Sequence, residues 1–267
     1  MNNLALRVAT ALVALPVVGA LALWENRLGF AALVFLVIGL ALSEYAQITL
    51  RGGSRAERVA AVATGLGFSV ALYLRPELGA LWTLAVVVVV ATVVLLHPGD
   101  IATAGPRLGA AGFGAFYVGG LLTALALLQR DVRHGPFWVF VAVGVTFAND
   151  SGGYFAGRAF GRHKLYPLVS PAKTIEGGIG GLVFGLAYLF AARATFFPAL
   201  TVGDCLAVGL PAAVLGPVGD LAESLIKRSA GVKDSGHSIP GHGGMLDRID
   251  ALLFVGAWVY AYASQLR

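Results

Sequence analysis

Nine apolar windows, each roughly twenty residues long, follow one another along this chain. They fall near residues 5–24, 29–49, 57–74, 78–96, 108–129, 136–156, 177–193, 202–226 and 250–265. A helix of that length crosses the hydrocarbon core of a bilayer, and inside lipid the backbone must satisfy its own polar groups. The windows lack the strict alternation that a membrane barrel needs. The expected fold is all-α: a polytopic transmembrane helical bundle of about nine spans. Composition agrees, with 58% of the 267 residues hydrophobic and 12% charged. A soluble domain of this length has no interior large enough for that much apolar surface.

The net charge of +5 does not point to nucleic acid, because the bases sit in short loops between apolar windows, where anionic headgroups meet them. Nine spans would place thirteen of the nineteen Lys and Arg on one side, among them Arg51, Arg58, Arg107, Arg158, Arg162 and Lys164. The thirteen-base side, with the N-terminus, is expected in the cytoplasm. Arg7 ahead of an apolar run, followed by Ala20-Leu21-Ala22, also resembles a signal peptide, but a retained first span is the expectation. Cys205 is the single cysteine, so neither an intramolecular disulfide nor a cysteine metal cluster can form.

Residues 1–145 read as N-terminal transmembrane helices, and 146–267 as a C-terminal transmembrane catalytic region with two cytoplasmic polar loops. In the first half Glu44 is an acid near the end of the second window, either a functional partner or a solvated helix end. Gly177, Gly181 and Gly185, at spacing four, suit close helix packing or a dimer seam. The first polar loop is expected from Asn149 to Glu176. Its glycines at 152, 153, 157 and 161 would let backbone approach a ligand, Ser170-Pro171 would make a turn, and Thr174 would cap the next helix.

The second loop, Asp220 to Asp250, holds five acids, four bases and two histidines. Asp220, Glu223, Ser224 and Lys227 recur at spacings of three and four and share one helix face. Asp247 and Asp250 share a face at the start of the last window. Between them Gly241-His242-Gly243-Gly244 forms a turn whose amides can line an anion site. Carboxylates at helix ends with bases between them suit a Mg²⁺–polyphosphate site, since hard cations take carboxylate, phosphate and water oxygens. His237 and His242 are expected to bind phosphate or backbone, and no zinc pattern is present.

These residues resemble a family. Ser224-Leu-Ile-Lys227-Arg228, Lys233-Asp234, Pro240-Gly-His242-Gly243-Gly244 and Asp247-Arg248-Ile-Asp250 look like the signature of phosphatidate cytidylyltransferases (CDP-diacylglycerol synthases), ungapped over 27 residues. Gly219-Asp220-Leu221 and Ser170-Pro171-x-Lys173-Thr174-x-Glu176-Gly177 are similar to it as well. Gly153, where alanine is more usual, is a minor departure. The resemblance implies a multi-pass enzyme of the cell (inner) membrane that joins CTP to phosphatidic acid, with Mg²⁺ and a K⁺ option, its active site facing the cytoplasm. It implies Asp220 and Asp247 as metal ligands, with Asp250 either a third ligand or a partner one step behind the ligands. Lys227, Arg228, Lys233 and Arg248 would hold phosphates. Ser170, Lys173, Thr174 and Glu176, with Ser224, His242, Gly243 and Gly244, would complete the substrate pocket, and Asp150 would bind metal or a ribose hydroxyl. The glycine-rich spans and the resemblance are both compatible with a homodimer. The alternatives are a CTP-dependent transferase or kinase acting on an isoprenoid or ether lipid, and a solute transporter.

Overall fold

The computed structural model describes residues 16–236, 238–239 and 243–267. Arg7 and the start of the first window, together with His237, Pro240, Gly241 and His242, lie outside the described residues. Residues 16–23 are helical. Nine α-helices then lie wholly within the described residues. They are α1 (Arg27–Thr49), α2 (Arg55–Leu74), α3 (Gly79–Leu96), α4 (Ile101–Gly114), α5 (Leu121–Asp131), α6 (Gly135–Phe160), α7 (Ile175–Ala194), α8 (Val202–Ser229) and α9 (Leu246–Ala261). A short antiparallel hairpin, β1 (Lys164–Tyr166) and β2 (Ser170–Thr174), separates α6 from α7.

Seven helical stretches among the described residues are long and apolar enough to cross a membrane. They match the second to fifth and the seventh to ninth windows, so the chain is an all-α, multi-pass membrane protein. The sixth window is the 26-residue helix α6, which carries Asn149, Asp150 and Arg158. Helix starts follow side-chain chemistry. Asn26, Ser54, Asp100 and Thr174 each accept a hydrogen bond from a first-turn amide of α1, α2, α4 and α7 respectively.

The chain forms two compact units, Met1–Ala126 with Ser229–Arg248, and Leu127–Arg228 with Ile249–Arg267. In the first, Ala46, Leu50, Phe68, Val86, Val90 and Ala111 form a core between α1, α2, α3 and α4. The π-helical stretch Ala115–Gly120 joins α4 to α5 where small residues permit close contact. A Cβ on Gly114 would stand 2.5 Å from the Tyr45 ring, and one on Gly119 would stand 3.0 Å from the Gly65 carbonyl oxygen. Arg107 is 3% exposed and pairs with Glu57, 1% exposed, while also donating to the Pro98 carbonyl. This arginine, counted among the loop bases, is a buried structural cation.

The second unit is built on the antiparallel seam of α6 and α7. A Cβ on Gly152 would lie 2.4 Å from the Gly180 carbonyl oxygen, and one on Gly181 would lie 2.9 Å from that of Asn149. Tyr188 closes the seam by donating its hydroxyl to the Phe140 carbonyl at 2.8 Å. Three of the glycines expected to line a ligand loop, Gly152, Gly153 and Gly157, are therefore helix residues facing α7, Gly161 caps the end of α6, and Asn149–Phe160 is helix rather than loop. Ser170-Pro171 opens β2, and the turn instead falls at 167–169. In lipid, small residues at helical spacing favour backbone contact over chain reversal. Two substitutions separate these roles. Gly152→Ala should destabilise the protein by about 1–3 kcal/mol through overpacking. Gly178→Ala, whose Cβ would meet nothing within 4 Å, should be neutral or stabilising by up to about 1 kcal/mol. Thermal unfolding in detergent measures both.

Candidate active site

In the second unit, β2 brings Lys173 to α8, where its Nζ lies 2.7 Å from Asp220 Oδ2. Asp220 also accepts from Ser224 Oγ, one turn on, at 3.3 Å. Asp150 on α6 and Asp250 on α9 interact electrostatically with Asp220, with each other and with Lys173. Asp150 and Asp220 lie roughly two and a half to three turns inside the ends of α6 and α8. The carboxylates are thus set into the helix ends rather than held in a surface loop. The group is open to solvent, with the side chains of Asp220 and Lys173 35% and 23% exposed. Gly219 permits the crossing of α8 and α9, since a Cβ there would stand 2.5 Å from the Asp250 carbonyl oxygen. On the next turn of α8, Lys227 pairs with the buried Glu223, and Arg228 is exposed.

The hairpin is fastened to α7. Thr174 is buried and accepts from the Gly177 amide at 3.1 Å. Glu176 accepts from the amides of Arg162 and His163, and its Oε1 lies 2.6 Å from His163 Nδ1. These two expected pocket residues shape the hairpin that presents Lys173, and Ser170 is half-buried at the start of β2. Asn149, 5% exposed, is buried next to Asp150 in sequence, and among the described residues neither of its side-chain polar atoms has a hydrogen-bond partner.

The remaining expected residues belong to the first unit. Asp247 opens α9, and its carboxylate accepts from the amides of Ser235 and Gly244, each at 3.1 Å. The segment leading to it is tied to α1. Glu44, 3% exposed, accepts from Ser235 Oγ at 3.1 Å, the Met245 amide at 2.9 Å and the Leu246 amide at 2.8 Å. Arg51 holds the start of the segment by donating to the Ala230 carbonyl at 2.8 Å. Gly244 must be glycine, because a Cβ would stand 1.9 Å from Ser235 Oγ. Gly243 has φ +81°, a conformation glycine adopts readily. Lys233 and Arg248 are exposed. Sequence reading missed Ser235, a lone serine without pattern. It met Glu44 only as a lone acid in an apolar window, which is itself a signal.

The donor set suits a hard divalent cation. Asp150, Asp220 and Asp250 share one nearby lysine, so the acids outnumber the bases in a setting exposed at Asp150 and half-buried at Asp220 and Asp250. Among the described residues no three His, Cys, Asp or Glu side chains are grouped to hold a metal alone. An ion here would draw on one or two carboxylates and complete its shell with water and phosphate, the habit of Mg²⁺.

A sequence profile of the cytidylyltransferase family matches residues 5–266. The chain is 34% identical over 268 residues to a phosphatidate cytidylyltransferase of Brucella suis, covering 99% of this chain and 94% of that protein. It is 38% identical over 146 residues to the phosphatidate cytidylyltransferase of Bacillus subtilis, covering 55% of this chain and 54% of that protein. The protein of that name from Haemophilus influenzae is 43% identical over 141 residues, 51% of this chain and 49% of its own length. The chain thus spans about half the length of these last two relatives and nearly all of the first. With the profile extending over almost every residue, the chain belongs to the cytidylyltransferase family.

Proposed function

We propose that this chain is a membrane nucleotidyltransferase that converts phosphatidate and CTP to CDP-diacylglycerol and pyrophosphate in phospholipid biosynthesis. Beyond family membership, the observation that carries the reading is the Lys173–Asp220 pair set among the carboxylates of Asp150 and Asp250. The lipid phosphate oxygen attacks the α-phosphorus of CTP. The bond from that phosphorus to its bridging oxygen breaks, and pyrophosphate leaves with the electron pair. The nucleophile is already anionic near neutral pH, so the reaction needs no strong general base. The main barrier is bringing two polyanions together, which cationic side chains lower by neutralising and orienting them.

Lys173, Lys227, Arg228, Lys233 and Arg248 supply that positive charge in this proposal, with Ser224, Gly243 and Gly244 among the substrate contacts. Asp220 and Asp247 would hold Mg²⁺, with Asp250 as a further oxygen donor and K⁺ as a second cation option. The bound ion would screen phosphate charge and favour in-line geometry. The active site is placed on the cytoplasmic face of the inner membrane, supported by the excess of bases on that side. The homodimer keeps the family resemblance as its support, since α6 occupies the glycine row of α7.

Competition in detergent tests the substrate. With CTP and Mg²⁺, phosphatidate should be consumed at least about tenfold faster than an equimolar polyprenyl phosphate, a preference of roughly 1.4 kcal/mol. The reverse preference would establish the isoprenoid reading. CTP-independent solute uptake into vesicles, with no CTP consumed, would establish a transporter.

A further inference from the structure

We propose that the β1–β2 hairpin and the end of α6 form a docking surface for the anionic headgroups of the surrounding bilayer. In this role it gathers lipid phosphate at the strand that carries Lys173. The bilayer contact stands on the geometry alone, and its use in catalysis rests on the function proposed above.

Residues 158–168 are exposed without a break. Within that run Phe160 is 70% exposed, Leu165 41%, Tyr166 45% and Leu168 83%. Interleaved with them are Arg158, Arg162 and Lys164, also exposed. Among the described residues none of these three cations forms an ion pair, and Arg158 instead meets the Tyr154 hydroxyl at 3.1 Å. Bare apolar side chains beside uncompensated cations match the headgroup layer, where apolar groups reach the acyl boundary and bases meet phosphate.

Position supports the same occupant. The helix α7 has 20 residues, roughly 30 Å, which is the thickness of the hydrocarbon core. Its first residue therefore stands at the hydrocarbon edge, and the hairpin is fastened directly to it. The Ile175 amide donates to the His163 carbonyl at 2.9 Å, and Glu176 binds Arg162 and His163. A five-residue strand reaches roughly 16 Å, more than the roughly 5–7 Å depth of one headgroup layer, so in the proposed dock the hairpin lies along the membrane surface, with Leu168 within that layer. The buried Val169, whose amide donates to the Tyr166 carbonyl at 3.3 Å, folds the tip and leaves Leu168 outward. The same β2 strand ends beside Lys173, whose Nζ is 2.7 Å from Asp220. Lys164 pairs in register with Thr174, the residue after Lys173, so a phosphate held by Lys164 lies at the strand end that reaches the carboxylate group.

The test uses the full chain in phospholipid nanodiscs. With Cys205→Ala removing the native thiol, Leu168→Cys carries an environment-sensitive fluorophore. Spin-labelled lipid with a shallow quencher should quench it by more than about half, and aqueous iodide should quench it little. Strong iodide quenching without lipid quenching would overturn the dock. So would protection from both, which marks a protein or a second copy as the occupant. In a second arm, Arg158→Gln, Arg162→Gln and Lys164→Gln together should raise KM for bilayer phosphatidate about tenfold. KM for CTP, and turnover of a water-soluble short-chain phosphatidate, should not change. Equal loss on both forms of phosphatidate, or no change on either, would contradict the capture role. If the unmodified protein makes no CDP-diacylglycerol, the function fails while the quenching arm still decides the bilayer contact.

Discussion

Asp247→Asn should lower kcat/KM for CTP by more than about a hundredfold while the protein still folds. Partners one shell removed from a metal already cost roughly 10–100-fold when lost, and Asp247 is proposed as a ligand itself. The carboxylate sits in the first turn of α9, where negative charge is favoured by the helix end. It accepts from the amides of Ser235 and Gly244, each at 3.1 Å. Both of these bonds end on Oδ2, so an asparagine carbonyl oxygen in that place keeps them and gives up only the longer 3.3 Å bond from the Ser235 amide to Oδ1, and stability should fall by only about 1 kcal/mol. Steady-state kinetics beside thermal unfolding separates the two effects. Asp220→Asn serves as the companion: its side chain is 35% exposed and, among the described residues, receives Ser224 Oγ and Lys173 alone. Its activity loss should be of similar size with almost no change in melting. Retention of a tenth or more of the activity by either variant would remove that residue from the proposed metal site.

Glu44→Ala should be the most destabilising of the substitutions considered. Three donors, Ser235 Oγ and the amides of Met245 and Leu246, converge on this carboxylate where it is 3% exposed. Alanine leaves them unanswered in a buried setting, at about 1–3 kcal/mol for each donor that water cannot reach. A total near 3 kcal/mol lowers the melting temperature by roughly 6–12 °C for a chain of this size. The segment 229–248 carries Lys233, Asp247 and Arg248, so activity should fall with stability. Glu44→Gln keeps one oxygen and should recover part of both. Unchanged melting in Glu44→Ala would show that the segment is held by other contacts.

The apolar windows, the helix caps and the clustered carboxylates were legible in the sequence because each depends on near neighbours. Thr174 capping α7 is a three-residue relation, and Asp220 with Ser224 is a four-residue one. The tie between Glu44 and Ser235 spans 191 positions, and no local pattern encodes it. Glycines misled at the end of α6. Gly152, Gly153 and Gly157 read as a loop by composition, yet they lie within α6 and seat it against the membrane-length helix α7. Arg107 misled in a different way. It looks like a topology-setting loop base, whereas its guanidinium is enclosed with Glu57. In each case the missing information was the identity of the opposite wall.

The fate of each CTP phosphate tests the central claim most directly. The protein is incubated in detergent with phosphatidate, Mg²⁺ and CTP carrying radiophosphorus at either the α or the γ position. A cytidylyltransferase places the α label in the lipid product and releases the γ label as pyrophosphate. A γ label in the lipid would mark a kinase, and an unlabelled lipid with intact CTP would contradict nucleotidyl transfer altogether.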